Sequence, residues 1–139
     1  MAWTISIDDG VKTKDKYVWF DVLCTSDGSA LSATNLLDTD YIARAYIRKI
    51  QGSTLYYLYV KPGTTTVAPD NTFDITLTDD LDAEIWSDTG ISNTAGSYHK
   101  LYEDVGLQMP VLDELNLAIS DIGTAGDQVT LRFVLWSEK

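Results

Sequence analysis

Trp3, Ile5 and Ile7 alternate with Thr4, Ser6 and Asp8, and this period of two returns along the whole chain. Strict apolar and polar alternation marks a half-buried β-strand, because successive side chains leave opposite faces of a sheet. Lys16 to Cys24 forms a second such segment, with Val18, Phe20, Val22 and Cys24 on the apolar side. Phe73, Ile75 and Leu77 form another, set against Asp74, Thr76 and Thr78. Near the C-terminal end, Leu115, Leu117 and Ile119 precede Val129, Leu131, Phe133 and Leu135, and Gly123-Thr-Ala-Gly-Asp127 between them is hairpin-loop material. Several short strands with turn signals between them predict a mainly β chain, an antiparallel β-sandwich of jelly-roll-like or Ig-like form, as one domain over residues 1–139.

Two segments depart from this pattern. Tyr41-Ile-Ala-Arg-Ala-Tyr-Ile-Arg-Lys-Ile50 fits a helix through Tyr41, Ile42, Ala45, Tyr46, Lys49 and Ile50, and a strand through Ile42, Arg44, Tyr46, Arg48 and Ile50. The alanine content, Asp40 as a cap and Gly52 as a stop favour one short helix. The second is the strand Ser53 to Val60, where Leu55, Tyr57 and Tyr59 share one face and Tyr56, Leu58 and Val60 the other. Neither face is polar, so the strand needs cover on both sides from a helix, a loop or another subunit. The helix folding back over it is the cover available within one chain.

Between this strand and the next run Lys61-Pro-Gly63, three threonines and Pro69-Asp-Asn71. Proline cannot donate to a ladder and glycine tolerates positive φ, so both ends are turns. The connection is too long for a tight hairpin and suits a crossing from one sheet to the other. Residues 87–106 are polar and Gly-rich and read as a long ordered excursion.

Charge narrows the partners. Ten Lys and Arg against 21 Asp and Glu leave a net charge of −11, which repels nucleic acid and anionic lipid. No apolar run approaches the roughly 18 residues of a membrane helix, and the N-terminal segment lacks the basic and apolar regions of a secretory signal. The single cysteine, Cys24, lies in an apolar strand and reads as a buried thiol.

The search for chemistry returns little. His99, the only histidine, falls in Gly96-Ser-Tyr-His-Lys100 and reads as a surface-loop residue; no serine or cysteine near it carries a nucleophile signature. Asp80, Asp82 and Glu84 alternate as calcium ligands do, yet the loop lacks the glycine and bidentate glutamate of a calcium hand, leaving at most an incidental cation site on a solvated acidic turn. Acid pairs for glycoside hydrolysis are defined by separation in space, so spacing along the chain does not identify one. No phosphate loop is present and no cofactor or metal is expected. Four Trp and eight Tyr admit a carbohydrate-binding module, although Trp3, Trp19, Tyr57 and Trp136 lie inside strand runs where core or interface roles are commoner.

Leu55-Tyr-Tyr-Leu-Tyr-Val-Lys-Pro-Gly-Thr64, Ala68-Pro-Asp-Asn-Thr-Phe-Asp-Ile-Thr-Leu-Thr-Asp79 and the strand, loop, strand from Leu115 to Trp136 together resemble small β-rich structural proteins of tailed-bacteriophage virions. The resemblance covers about half the chain and implies a decoration or cement protein on the outer capsid shell, located in the virion, with a head–tail or baseplate accessory protein as the alternative. It implies no enzymatic activity, the major capsid protein or other virion proteins as partners, and a small homo-oligomer, a trimer before a dimer. Tyr56, Tyr57, Leu58, Tyr59, Trp3, Trp19 and Trp136 are the interface candidates, because tyrosine and tryptophan are enriched at protein contacts.

Overall fold

A computed structural model describes residues 2–101 and 109–137. The alternating segments become ten strands: β1 Thr4–Lys14, β2 Tyr17–Thr25, β3 Leu31–Asn35, β4 Thr54–Pro62, β5 Phe73–Thr78, β6 Glu84–Ile91, β7 Ser97–His99, β8 Met109–Pro110, β9 Asn116–Ile119 and β10 Gln128–Trp136. One sheet has the order β1-β2-β10-β4-β7, with β8 also paired to β4, and the other the order β3-β9-β5-β6. All described pairings are antiparallel, so the fold is the expected antiparallel β-sandwich, with a short α-helix at Arg44–Ile50 and a 3-10 turn at Thr65–Val67 among the described residues.

The core follows from the alternation. From the larger sheet come Val18, Phe20, Val22 and Cys24 of β2 with Val129, Leu131, Phe133 and Leu135 of β10; from the smaller come Phe73, Ile75 and Leu77 of β5 with Leu117 and Ile119 of β9. Phe20 and Phe133 stand opposite one another in register, and their rings stack at 5.2 Å. Each such side chain contributes roughly 1.5–3 kcal/mol when fully buried. Burial of the Cys24 thiol pushes its pKa up to about 12, which suppresses the nucleophilic thiolate.

The connection from β4 to β5 crosses between the sheets, as its length and turn residues predict. Its polar groups are tied down. Gly63 N–H donates to the Gln128 carbonyl (2.8 Å), Asp70 N–H to the Ile122 carbonyl (2.8 Å), and Thr124 Oγ1 to Asp70 Oδ2 (2.7 Å). The segment Gly123–Asp127 is not a hairpin loop, because β9 and β10 belong to different sheets. Ladder partners in two sheets outcompete the short turn: β9 pairs with β5 and β10 with β4 and β2.

The helix α1, Arg44–Ile50, begins after Ala43 rather than at Tyr41, and its cap makes no side-chain hydrogen bond. Asp38 supplies the preceding turn: its carbonyl accepts the Tyr41 and Ile42 N–H groups, and its Oδ1 accepts the Asp40 N–H. Ile47 and Ile50 face the core, so α1 closes part of the sandwich interior.

Residues 87–99 are not an excursion. They contain most of β6, the turn around Gly96 and all of β7, while 102–106 lie outside the described residues. Gly96 adopts φ +70°, and a Cβ there would collide with the Val60 carbonyl. The turn thus brings two backbones closer than any side chain permits, and the polar composition hides strands that read as loop.

Candidate functional site

The β4 strand carries an irregularity that decides its two faces. Val134 pairs with Tyr57 but Leu135 pairs with Leu55, so Tyr56 is an extra residue on β4. The bulge shifts the alternation by one. Leu55, Leu58 and Val60 enter the core, and Tyr56, Tyr57 and Tyr59 are all left on the outside of the six-stranded sheet. Leu55 therefore does not share a face with Tyr57 and Tyr59, and Leu58, fully buried, is a core residue rather than an interface candidate.

The neighbouring strands extend this outer surface. Tyr17 and Trp19 of β2 and Val134 and Trp136 of β10 occupy the non-core register positions beside the β4 tyrosines, and Tyr98 of β7 stands opposite Tyr59. The rings touch in sequence across four strands. Tyr17 meets Trp136 at 4.9 Å and Tyr56 at 5.3 Å; Tyr57 meets Tyr98 at 5.4 Å; Tyr98 meets Tyr59 at 5.9 Å. Tilted and edge-to-face pairs at these separations are the favoured aromatic geometry. Tyr98 remains 50% exposed and Tyr59 36%, while Tyr17, Trp19, Tyr56, Tyr57 and Trp136 are half-buried. A groove of about 630 Å³ runs between Lys14, Asp15, Tyr17, Trp19, Tyr56, Tyr57, Arg132 and Val134. Helix α1 contributes no residue to it, so the helix that could have folded back over this strand within one chain does not line the groove among the described residues.

Charge is distributed unevenly around this face. Lys12, Lys14, Lys61 and Arg132 occupy its register positions, and Lys16 Nζ lies 5.8 Å from the Trp136 ring centroid. Those are five of the chain's ten cations. Asp15 lines the groove and Asp21 stands opposite Arg132. Arg132 grips Asp21 with both ends of its fork, Nε to Oδ1 at 2.6 Å and Nη2 to Oδ2 at 2.8 Å. That hydrogen bond holds the Asp21 carboxyl below its usual range against the opposing cost of burial, and the nearby Lys12 charge adds to the effect.

The other candidates fall elsewhere. Trp3 lies on the inner side with Ile5 and Ile7, packed against the core, and its indole N–H donates to the Ser29 carbonyl at 2.9 Å. It is not part of the aromatic face. Asp80 and Asp82 are exposed on the β5–β6 turn and Glu84 at the first position of β6; Asp79 organises the turn by accepting the Leu81 and Ala83 N–H groups at 2.8 and 2.9 Å. Among the described residues no three His, Cys, Asp or Glu side chains gather where they could hold a metal ion.

His99 is a strand residue, not a loop residue. It stands opposite Leu58 on β7, and its Nε2 is 2.8 Å from Asp88 Oδ2 on β6, with the Trp86 ring edge-on at 5.0 Å. This pair links the two sheets at one border, and both side chains are 27% exposed. Only the alternation Tyr98-His99 opposite Leu58-Tyr59 could have located it in the sequence. Compared with known proteins, the chain matches no family model, no curated protein and no solved structure.

Proposed function

We propose that this chain is a non-enzymatic structural component of a tailed-phage virion, docked through the outer face of its six-stranded sheet, and specifically a decoration protein on the capsid shell. The observation that carries the reading is the run of seven rings, Trp19, Tyr17, Trp136, Tyr56, Tyr57, Tyr98 and Tyr59, along a sheet face that no described element covers. A surface this rich in Tyr and Trp is far from the average protein exterior and matches the core of a protein contact. The resemblance of the β4–β5 segment and of β9–β10 to virion proteins supplies the setting. A head–tail or baseplate position would use the same face.

Mass spectrometry of purified particles of the phage that encodes the chain tests this. The chain is expected in many copies per particle if it decorates the shell, and in few if it belongs to the neck or tail. Its absence would overturn the reading.

The groove itself favours a second reading, a carbohydrate-binding module, because its size and aromatic lining lie within the range of small-ligand sites. A glycan array separates the two. Selective binding that disappears in Tyr57→Ala would establish the sugar reading; no binding, together with co-sedimentation on particles, is expected for the virion protein.

A further inference from the structure

The most exposed ring of the aromatic row sits on a strand whose other side reaches the opposite sheet. We infer that the His99–Asp88 pair is a positioning contact for the docking face: by tying β7 to the smaller sheet, it holds Tyr98 in place beside Tyr57 and Tyr59. The inference rests on the virion reading above for what docks there.

The ladder alone gives β7 little support. The strand spans Ser97–His99, ends the larger sheet, and pairs with β4 through Leu58, Tyr59 and Val60. Short border strands with few contacts are the parts of a fold that open locally. Yet Tyr98, its middle residue, touches two rings of the row, Tyr57 at 5.4 Å and Tyr59 at 5.9 Å, while remaining 50% exposed.

The strand is held at both ends. Before it, Gly96 N–H donates to the Ser92 carbonyl at 2.9 Å, and the close approach of Gly96 to the Val60 carbonyl fixes the turn. At its last residue, Asp88 Oδ2 on β6 accepts the His99 Nε2–H at 2.8 Å. Opposed residues of a ladder share a face, so His99, opposite Leu58, and Asp88, opposite Ile75, both stand on the inner sides of their sheets. Leu58 and Ile75 are fully buried there. Two polar residues thus occupy positions that the alternation fills with Val, Leu, Ile or Phe elsewhere, and Trp86, opposite Leu77, closes on the imidazole edge-on at 5.0 Å.

The chemistry of the pair explains the exchange. Apolar burial is non-directional and would hold the two borders together without fixing their relative placement. A hydrogen bond weakens steeply when it is bent, so this one sets where His99 lies. Successive strand side chains leave opposite faces, and fixing His99 on the inside therefore fixes Tyr98 on the outside. A ring already in place is spared the ordering cost that a mobile one pays at a contact.

Two variants of Asp88 test this. Asp88→Ala removes the acceptor, whereas Asp88→Asn keeps an oxygen that can take the Nε2–H. In hydroxyl-radical footprinting of the free chain, Asp88→Ala is expected to raise Tyr98 labelling about twofold or more while Trp19 stays unchanged, and Asp88→Asn to leave both near their original levels. Co-sedimentation with purified particles is expected to fall about two- to tenfold in Asp88→Ala and to recover in Asp88→Asn. Unchanged Tyr98 labelling in Asp88→Ala, or equal changes in the two variants, would overturn the inference. So would Tyr98 and Trp19 labelling rising together, which would mean that Asp88 supports the whole fold and not this ring. Absence of the chain from particles would remove the virion reading alone, because labelling of the free chain decides whether the pair positions Tyr98.

Discussion

The two sheets of the sandwich have inner faces of one kind and outer faces of two. Inside, β2 and β10 present Val, Phe and Leu in the same alternation that β5 and β9 present Phe, Ile and Leu, and both sets are fully buried. Outside, the smaller sheet shows Thr76, Thr78, Ala118 and Ser120, whereas the larger shows seven aromatic rings fringed by lysine. The contrast teaches where selection for folding ends. Core alternation alone requires only that the outward positions be compatible with a strand, and threonine meets that requirement on the smaller sheet. Tyrosine and tryptophan on the larger one also suit a strand and pack across it, but a row of seven is more than that requirement needs, and in the proposed reading it serves a contact beyond the fold.

Core truncation gives the largest expected effects, and the two sheets should respond alike. Phe133→Ala is expected to cost about 3–5 kcal/mol and Leu77→Ala about 2–5 kcal/mol by chemical denaturation, because each leaves a cavity in a close-packed interior. A near-neutral result for either would mean that the two inner faces are not equivalent.

Outer-face changes should be smaller and should differ between sheets. Tyr57→Ala removes the contact with Tyr98 and part of the ring row, and is expected to destabilise the free chain by about 1–2 kcal/mol. Thr76→Ala on the smaller sheet is expected to stay within about 0.5 kcal/mol. If Tyr57→Ala were as costly as Phe133→Ala, the rings would belong to the stabilising core and the comparison would collapse.

The smallest effect concerns the Arg132–Asp21 pair, whose side chains are 46% and 23% exposed. The folded-state pKa of Asp21 is lowered, so the pair's contribution is present above the ordinary aspartate value of 3.8 and is lost as pH falls through the lowered one. Asp21→Asn should therefore reduce stability at neutral pH by no more than about 1 kcal/mol, with the difference from the unaltered chain narrowing in acid. A difference that widened below pH 3.8 would reverse the assigned sign.

Much of the fold was legible because strand alternation reports directly on burial. β2, β5, β9 and β10 follow their apolar positions residue for residue, and the crossing after Pro62 follows from its turn residues. What escaped depends on partners distant in the chain. The Tyr56 bulge exists only against Val134 and Leu135, and it moves Leu55 and Leu58 to the core together. The sheet membership of β9 and β10 escaped for the same reason, since a Gly-rich loop looks alike whether it joins neighbours or crosses. Trp19, Tyr57 and Trp136 were recognisable as interface candidates by residue type, but Tyr17 and Tyr98, which complete the row, were not, because their contacts come from register.

Hydroxyl-radical footprinting of the chain, free and on purified particles, tests the central claim that the outer face of the larger sheet is the docked one. Trp19, Tyr57 and Tyr98 are expected to lose labelling several-fold on the particle, while Leu81, 82% exposed on the β5–β6 turn, keeps its full labelling. Unchanged labelling of the three rings, with Leu81 protected instead, would place the contact on the opposite side of the sandwich and contradict the account.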